Sequence, residues 1–144
     1  MTARIERRFA GGVEIRADFE LELEAGATTI LFGPSGSGKT TVLRCLAGLE
    51  RPDRGVIRFG DEVWFDSGAG LCLPPQARRI GFLAQDYALF PHITVRENIE
   101  YGLRGRSRRE RERASTHMLE FFGISGLAGR KPAQISGGEA QRVA

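Results

Sequence analysis

The stretch Gly33-Pro34-Ser35-Gly36-Ser37-Gly38-Lys39-Thr40 decides how this chain is read. It fits the phosphate-binding pattern G-x-x-x-x-G-K-[ST], and each residue type in it has a physical job. Glycines let the backbone wrap tightly, so that successive amide N–H groups point at phosphate oxygens. Lys39 has the reach to touch the β- and γ-phosphates as a mobile point charge. The Thr40 hydroxyl suits Mg²⁺, which keeps several waters and leans on substrate phosphates. The candidate nucleotide-binding set is therefore Gly33, Pro34, Ser35, Gly36, Ser37, Gly38, Lys39, Thr40 and Thr41.

The flanks agree with this reading. Ala27-Thr28-Thr29-Ile30-Leu31-Phe32 reads as a buried strand running into the loop. Thr40 to Ala47 reads as a helix leaving it, with Val42, Leu43, Leu46 and Ala47 at core spacing and Gly48 as C-cap. A helix N-terminus aimed at the loop adds a favourable field for an anion. The loop alone specifies a nucleoside triphosphate, not which one or what its energy drives.

At 144 residues the chain is long enough for one domain with a sizeable core. Hydrophobic residues at 41% and charged residues at 27% are those of an ordinary soluble globular protein. No run approaches the roughly 20 apolar residues of a membrane span, and Met1–Ile5 lacks the apolar core of a signal peptide. Cys45 and Cys72 have no metal-ligand spacing and read as packing residues in a reducing compartment. A net charge of +3 gives no argument for a nucleic-acid partner. The basic run 104–113 interleaves Arg with Glu, which reads as a solvated helix face.

From Val13 to Glu24 the alternation is complete. Val13, Ile15, Ala17, Phe19, Leu21 and Leu23 share one face, and acidic or basic residues share the other. That predicts a strand with one wet face, paired as a hairpin with residues 4–9 through Ala10-Gly11-Gly12. A second hairpin is expected over 55–65, turning at Gly60-Asp61, followed by an irregular loop to Pro74-Pro75. Ile80–Ala84 reads as a short strand stopping at Gln85-Asp86. Thr94 with Glu97 forms a capping box for a helix; 107–122 is helical by pattern; Ser136 opens a last helix.

Ile135-Ser136-Gly137-Gly138-Glu139 is the second chemical signal. A serine and two glycines at a helix start make an anion site from exposed amides, a hydroxyl and the helix dipole. By itself the pattern is equally an ordinary N-cap with a flexible approach.

With the phosphate loop, the chain resembles the ATP-binding subunit of ABC transporters. Ser136-Gly137-Gly138 matches the core of that family's signature, and Gln85 matches its Q-loop. Phe90-Pro91-His92-Ile93-Thr94-Val95-Arg96-Glu97-Asn98-Ile99 is similar to the importer branch. Gly70–Pro75 followed by Arg78-Arg79-Ile80-Gly81 looks like the molybdate-importer ATPases; sulfate, ferric-iron and polyamine importers share much of the rest.

The resemblance implies an α/β fold: a P-loop core with an antiparallel β subdomain over 1–87 and a helical subdomain over 88–144. It implies ATP and Mg²⁺ as cofactors, with Thr40 and Gln85 at the metal. It implies a second ATP-binding subunit as homodimer partner, whose nucleotide Ser136, Gly137, Gly138 and Glu139 would serve. Transmembrane permease subunits are the other implied partners, at the cytoplasmic face of the inner membrane. Gln85 would also face the attacking water, and Phe9 is placed to stack on adenine; on composition alone Phe9 reads equally as a hairpin core residue. Glu139 stands where the family has Gln, putting a carboxylate near a phosphate site. The Walker B acidic pair, D-loop and switch histidine of the family are not within these residues, and His92 and His117 read as surface positions. The 144 residues alone are therefore expected to hydrolyse ATP poorly and to fold poorly, with Ala27–Phe32 short of neighbours. Two other readings stand beside this one: a small kinase-like P-loop enzyme with Asp86 as its metal carboxylate, and a regulatory fragment that binds a partner ATPase without turnover.

Overall fold

The computed structural model describes residues 1–22, 24 and 26–144, which divide into two compact units, Met1–Phe82 and Leu83–Ala144. In the first unit, β1 (Thr2–Arg8) and β2 (Glu14–Glu20) form the expected antiparallel hairpin, with Arg7 opposite Ile15. Alternation carries through β2: Ile15, Ala17 and Phe19 are half-buried, while Arg16, Asp18 and Glu20 are exposed. The strand is shorter than the pattern suggested. Val13 is 56% exposed and lies outside it, and Leu23 lies outside the described residues.

β3 (Arg54–Phe59) and β4 (Glu62–Asp66) form the second expected hairpin. A short β5 (Leu71–Cys72) pairs with β4 inside the stretch read as irregular loop, and a 3₁₀ turn follows at Pro75–Ala77. Among the described residues the strands make one antiparallel sheet in the order β2-β1-β3-β4-β5. At Gly55, φ is 117° and a Cβ would fall 1.9 Å from the Arg4 carbonyl, so only glycine lets β3 pair this closely with β1.

One face of the sheet covers α1 (Lys39–Ala47). Ala3, Ile5, Ile57, Trp64 and Phe65 of the sheet close on Cys45 of the helix. Of the expected core positions of α1, Val42 and Ala47 are buried and Leu46 packs against the core, with Cys45 beside them; Leu43 alone is 47% exposed. Cys45 is a packing residue as read, whereas Cys72 is exposed.

Two expected strands are absent. Ala27–Phe32 and Ile80–Ala84 join no ladder, and Ile30 and Phe32 are 80% and 95% exposed. Both are apolar runs, and that local property suggested strands. A ladder, however, needs a neighbour to take each N–H and C=O, and none of the described strands borders either run.

In the second unit, α2 (Val95–Tyr101), α3 (Arg108–Phe121) and α4 (Gly137–Val143) each begin at a capping box: Thr94 with Glu97, Ser107 with Glu110, Ser136 with Glu139. In each, the hydroxyl accepts from the N3 amide while the glutamate accepts from the cap amide, satisfying donors that a helix start leaves orphaned. Val95, Leu119 and Ile124 form the core, with Ile99, Leu127, Ile135 and Val143 packed around them. The basic run is the expected solvated face, with an Arg108–Glu112 pair at 2.8 Å.

Candidate functional site

The phosphate-loop segment leads directly into α1. Gly36 and Gly38 take φ of 80° and 90°, which L-side chains rarely adopt, so the chain reverses within a few residues. Gly38 is also the N-cap of α1 and supplies no side-chain acceptor. The first intrahelical bond runs from the Val42 amide to the Gly38 carbonyl at 2.9 Å. The amides of Lys39, Thr40 and Thr41 therefore have no helical acceptor, and they sit at the positive end of the helix dipole. Gly38 has a steric role as well. A Cβ there would meet Ile15 Cδ1 at 2.6 Å, so β2 packs against the start of the helix.

Lys39 folds back over the loop. Its Nζ donates to the carbonyls of Gly33 at 2.9 Å and Pro34 at 2.7 Å. Gly33 also approaches Ser37 closely: a Cβ there would lie 3.1 Å from Ser37 Oγ. An arriving phosphate would take over the ammonium and the free amides together. Ser35, Gly36, Ser37 and Thr40 are exposed and accessible to a ligand.

The donor set suits magnesium bound through phosphate. Among the described residues there is no group of three or more His, Cys, Asp or Glu able to hold a metal ion. Thr40 is exposed beside these amides, and Mg²⁺ characteristically combines a hydroxyl ligand with phosphates and water.

Phe9 directly follows Arg8, the last residue of β1. It is 39% exposed and outside the core cluster, so it is not a core residue of the hairpin. Its amide donates to the Val13 carbonyl at 2.8 Å, and the Arg7 guanidinium carbon stands 5.0 Å from its ring centroid. Arg7 is in turn gripped by Glu50 and Asp53. Nothing local in the sequence announces this cluster, because its members lie more than forty positions apart.

Arg78 likewise carries no local mark of its role in the sequence. It is 3% exposed, and its guanidinium donates to the carbonyls of Cys45, Leu46 and Leu73. Those of Cys45 and Leu46 belong to the last turn of α1, the negative end of the helix dipole. Burial pushes the Arg78 pKa down from its ordinary value.

In the second unit, Gln85 is exposed at the start of a turn that continues through Tyr87 and Ala88, both at positive φ. Asp86 is exposed in the same turn. Ser136, Gly137 and Gly138 are exposed at the start of α4. The Glu139 carboxylate accepts from Ser136 N at 2.7 Å and Ser136 Oγ at 2.8 Å, which holds its pKa below the usual carboxylate range. It is thus engaged with its own helix start. His92 and His117 are exposed, as read.

Known proteins sharpen this picture. The chain is 48% identical over 124 residues to the molybdenum import ATP-binding protein ModC of Pseudomonas savastanoi pv. phaseolicola, covering 86% of this chain and 34% of that protein. It is 46% identical over 145 residues to the molybdate/tungstate import ATP-binding protein WtpC of Archaeoglobus fulgidus, covering all of this chain and 56% of that protein. The chain thus spans about a third to a half of the length of these curated relatives. Among solved structures, a dimeric ATP-binding cassette in a post-hydrolysis state, bound to ADP and Pi, superposes with a TM-score of 0.79 at 30% identity. That match covers 99% of this chain and 66% of the other. The fold is therefore that of an ATP-binding cassette, with an antiparallel sheet and a helical unit. Residues 17–144 match the family model for ABC transporters, and the chain belongs to that family.

Proposed function

We propose that this chain is the nucleotide-binding portion of an ATP-binding subunit that energises an importer for molybdate or a related oxyanion. The observation that carries the nucleotide assignment is the set of amides of Lys39, Thr40 and Thr41 without helical acceptors, beside a lysine that donates to the loop carbonyls of Gly33 and Pro34. The oxyanion assignment is supported by the names of the relatives.

ATP would bind with its phosphates in the loop Gly33–Thr41. Magnesium, when bound, neutralises charge on the phosphates, and Thr40 and Gln85 are the residues offered to it. Ser136, Gly137, Gly138 and Glu139 would serve the nucleotide of a second subunit, so that ATP makes its full set of contacts only in the closed pair. A site completed by pairing converts binding energy into motion, because the ligand favours one of two states. Permease subunits at the cytoplasmic face of the inner membrane would receive that motion. Attachment there would be peripheral; among the described residues no helix is long and apolar enough to cross a membrane. Phosphoryl transfer relies on positioning and electrostatics. Gln85 would face the attacking water.

The test is Ser136→Arg. It should leave ATP affinity of the isolated chain intact and abolish ATP-driven association with a complete ATP-binding subunit of the same kind, read by sedimentation. Loss of ATP binding by the isolated variant would place Ser136 in the chain's own site and contradict the shared-site reading.

A further inference from the structure

We propose that Arg7 is a positioning residue for the nucleobase: it fixes the Phe9 ring from one face and leaves the other free to stack on adenine. This rests on the reading of Phe9 as the adenine platform and adds the residue that makes the platform rigid.

Three observations carry it. First, the Arg7 guanidinium carbon stands 5.0 Å from the Phe9 ring centroid, inside the range at which a cation is attracted to a ring face. Second, the guanidinium itself cannot wander. Its Nε donates to Glu50 Oε1 at 2.8 Å, and its Nη1 donates to both Asp53 carboxylate oxygens at 3.2 and 3.1 Å. Asp53 is locked in turn, accepting from the Arg8 amide at 2.7 Å and donating its own amide to the Glu6 carbonyl at 2.9 Å. Third, the turn after Phe9 fixes the backbone, through Phe9 N to Val13 O and Gly12 N to Phe9 O. An aromatic ring held by its backbone on one side and a clamped cation on another, yet 39% exposed, is arranged for a flat partner.

The placement matches a nucleotide. Arg7 is paired with Ile15, and Ile15 touches Gly38, the N-cap of the phosphate-loop helix. Glu50 lies just beyond the C-cap of that same helix. The hairpin end that carries Phe9 is thus tied to both ends of α1. Every Arg7 nitrogen that could reach a base is engaged with a carboxylate, so Arg7 acts through the ring rather than by reading base edges. Stacking of this kind is worth roughly tenfold in affinity or more.

The experiment compares dissociation constants of the parent chain, Phe9→Ala, Arg7→Met and Arg7→Lys for MgATP and for magnesium tripolyphosphate, which lacks the base. Phe9→Ala should weaken ATP about tenfold and leave tripolyphosphate unchanged. Arg7→Met should weaken ATP by about threefold or more, again sparing tripolyphosphate. Arg7→Lys, which keeps a cation but not the fork, should fall between parent and Met. A loss confined to Phe9→Ala, with Arg7→Met binding ATP like the parent, overturns the proposal and keeps the platform. Equal losses for both ligands in Arg7→Met also overturn it, since that is general damage to the site. Unchanged ATP affinity in Phe9→Ala removes the platform reading and the proposal with it. Should Arg7→Met fail to fold, the ATP-to-tripolyphosphate ratio of Arg7→Lys decides alone: a fall supports the clamp, and a parent-like ratio overturns it.

Discussion

Arg78 Nη1 donates to the Cys45 carbonyl at 2.7 Å across 33 positions of sequence, closing the last turn of α1 with a buried cation. The same nitrogen reaches the Leu46 carbonyl at 2.7 Å, and Nε reaches Leu73. The guanidinium also lies over Trp64, its carbon 5.6 Å from the ring centroid. One side chain therefore joins the helix behind the phosphate loop, the 3₁₀ turn and the sheet core. Its Nη2 finds no partner among the described residues, so its desolvation is only partly compensated.

Arg78→Met keeps an apolar stem but leaves three carbonyls without their donor. We expect a loss of about 2–4 kcal/mol in unfolding free energy by denaturant titration. A change below about 0.5 kcal/mol would mean that water or a rearranged loop replaces the guanidinium at no cost.

The three capping-box glutamates make helix order pH-dependent. Hydrogen bonds from Thr94, Ser107 and Ser136 to Glu97, Glu110 and Glu139 hold these carboxyls below their ordinary value. A depressed carboxylate contributes stability that is fully present above the unfolded value, about 4.3, and is lost as pH falls through the lower folded value. Circular dichroism between pH 6 and 3 should show helicity falling at the acid end in the parent. The triple variant with Gln at all three sites, which caps without titrating, should show a shallower fall. Identical acid profiles would contradict the role of the boxes.

The two thiols should differ sharply in reactivity. Cys72 is exposed, whereas Cys45 is fully buried and its thiol is pushed up to about 11, chiefly by burial. Since the thiolate is the nucleophile, a thiol-modifying reagent at neutral pH should label one equivalent rapidly and the second only on unfolding. Two fast equivalents would show that the core around α1 opens readily.

What was legible in the sequence was what is local. The Thr94–Glu97 capping box announces α2, the pattern over 107–122 announces α3, Ser136 opens α4, and Gly48 ends α1 where expected, at φ of 77°. Alternation in 13–24 and the Gly-rich turn gave the first hairpin. What failed was non-local. Ile30, Phe32 and Leu83 look like strand residues, but whether a run becomes a strand depends on a neighbour that its own composition does not specify. β5 is two residues long and exists only through β4. Leu43 shares helical spacing with Val42, Leu46 and Ala47 but is 47% exposed, because spacing does not specify what covers a position. In the site, the loop was read from its own pattern, while Arg7, Glu50, Asp53 and Arg78 act through partners far away in sequence and left no local mark.

The central claim is that phosphate binds through the loop Gly33–Thr41 and Lys39. Calorimetric titration of MgATP into the parent chain and Lys39→Ala tests it most directly. In the parent, Lys39 Nζ is held by two carbonyls that it can exchange for phosphate oxygens. The variant loses that charge while the core around Cys45 and Trp64 is untouched. The account predicts measurable binding in the parent and at least about a tenfold loss in Lys39→Ala, as expected for removing a charge-assisted contact. Equal ATP affinity in the two proteins would contradict it.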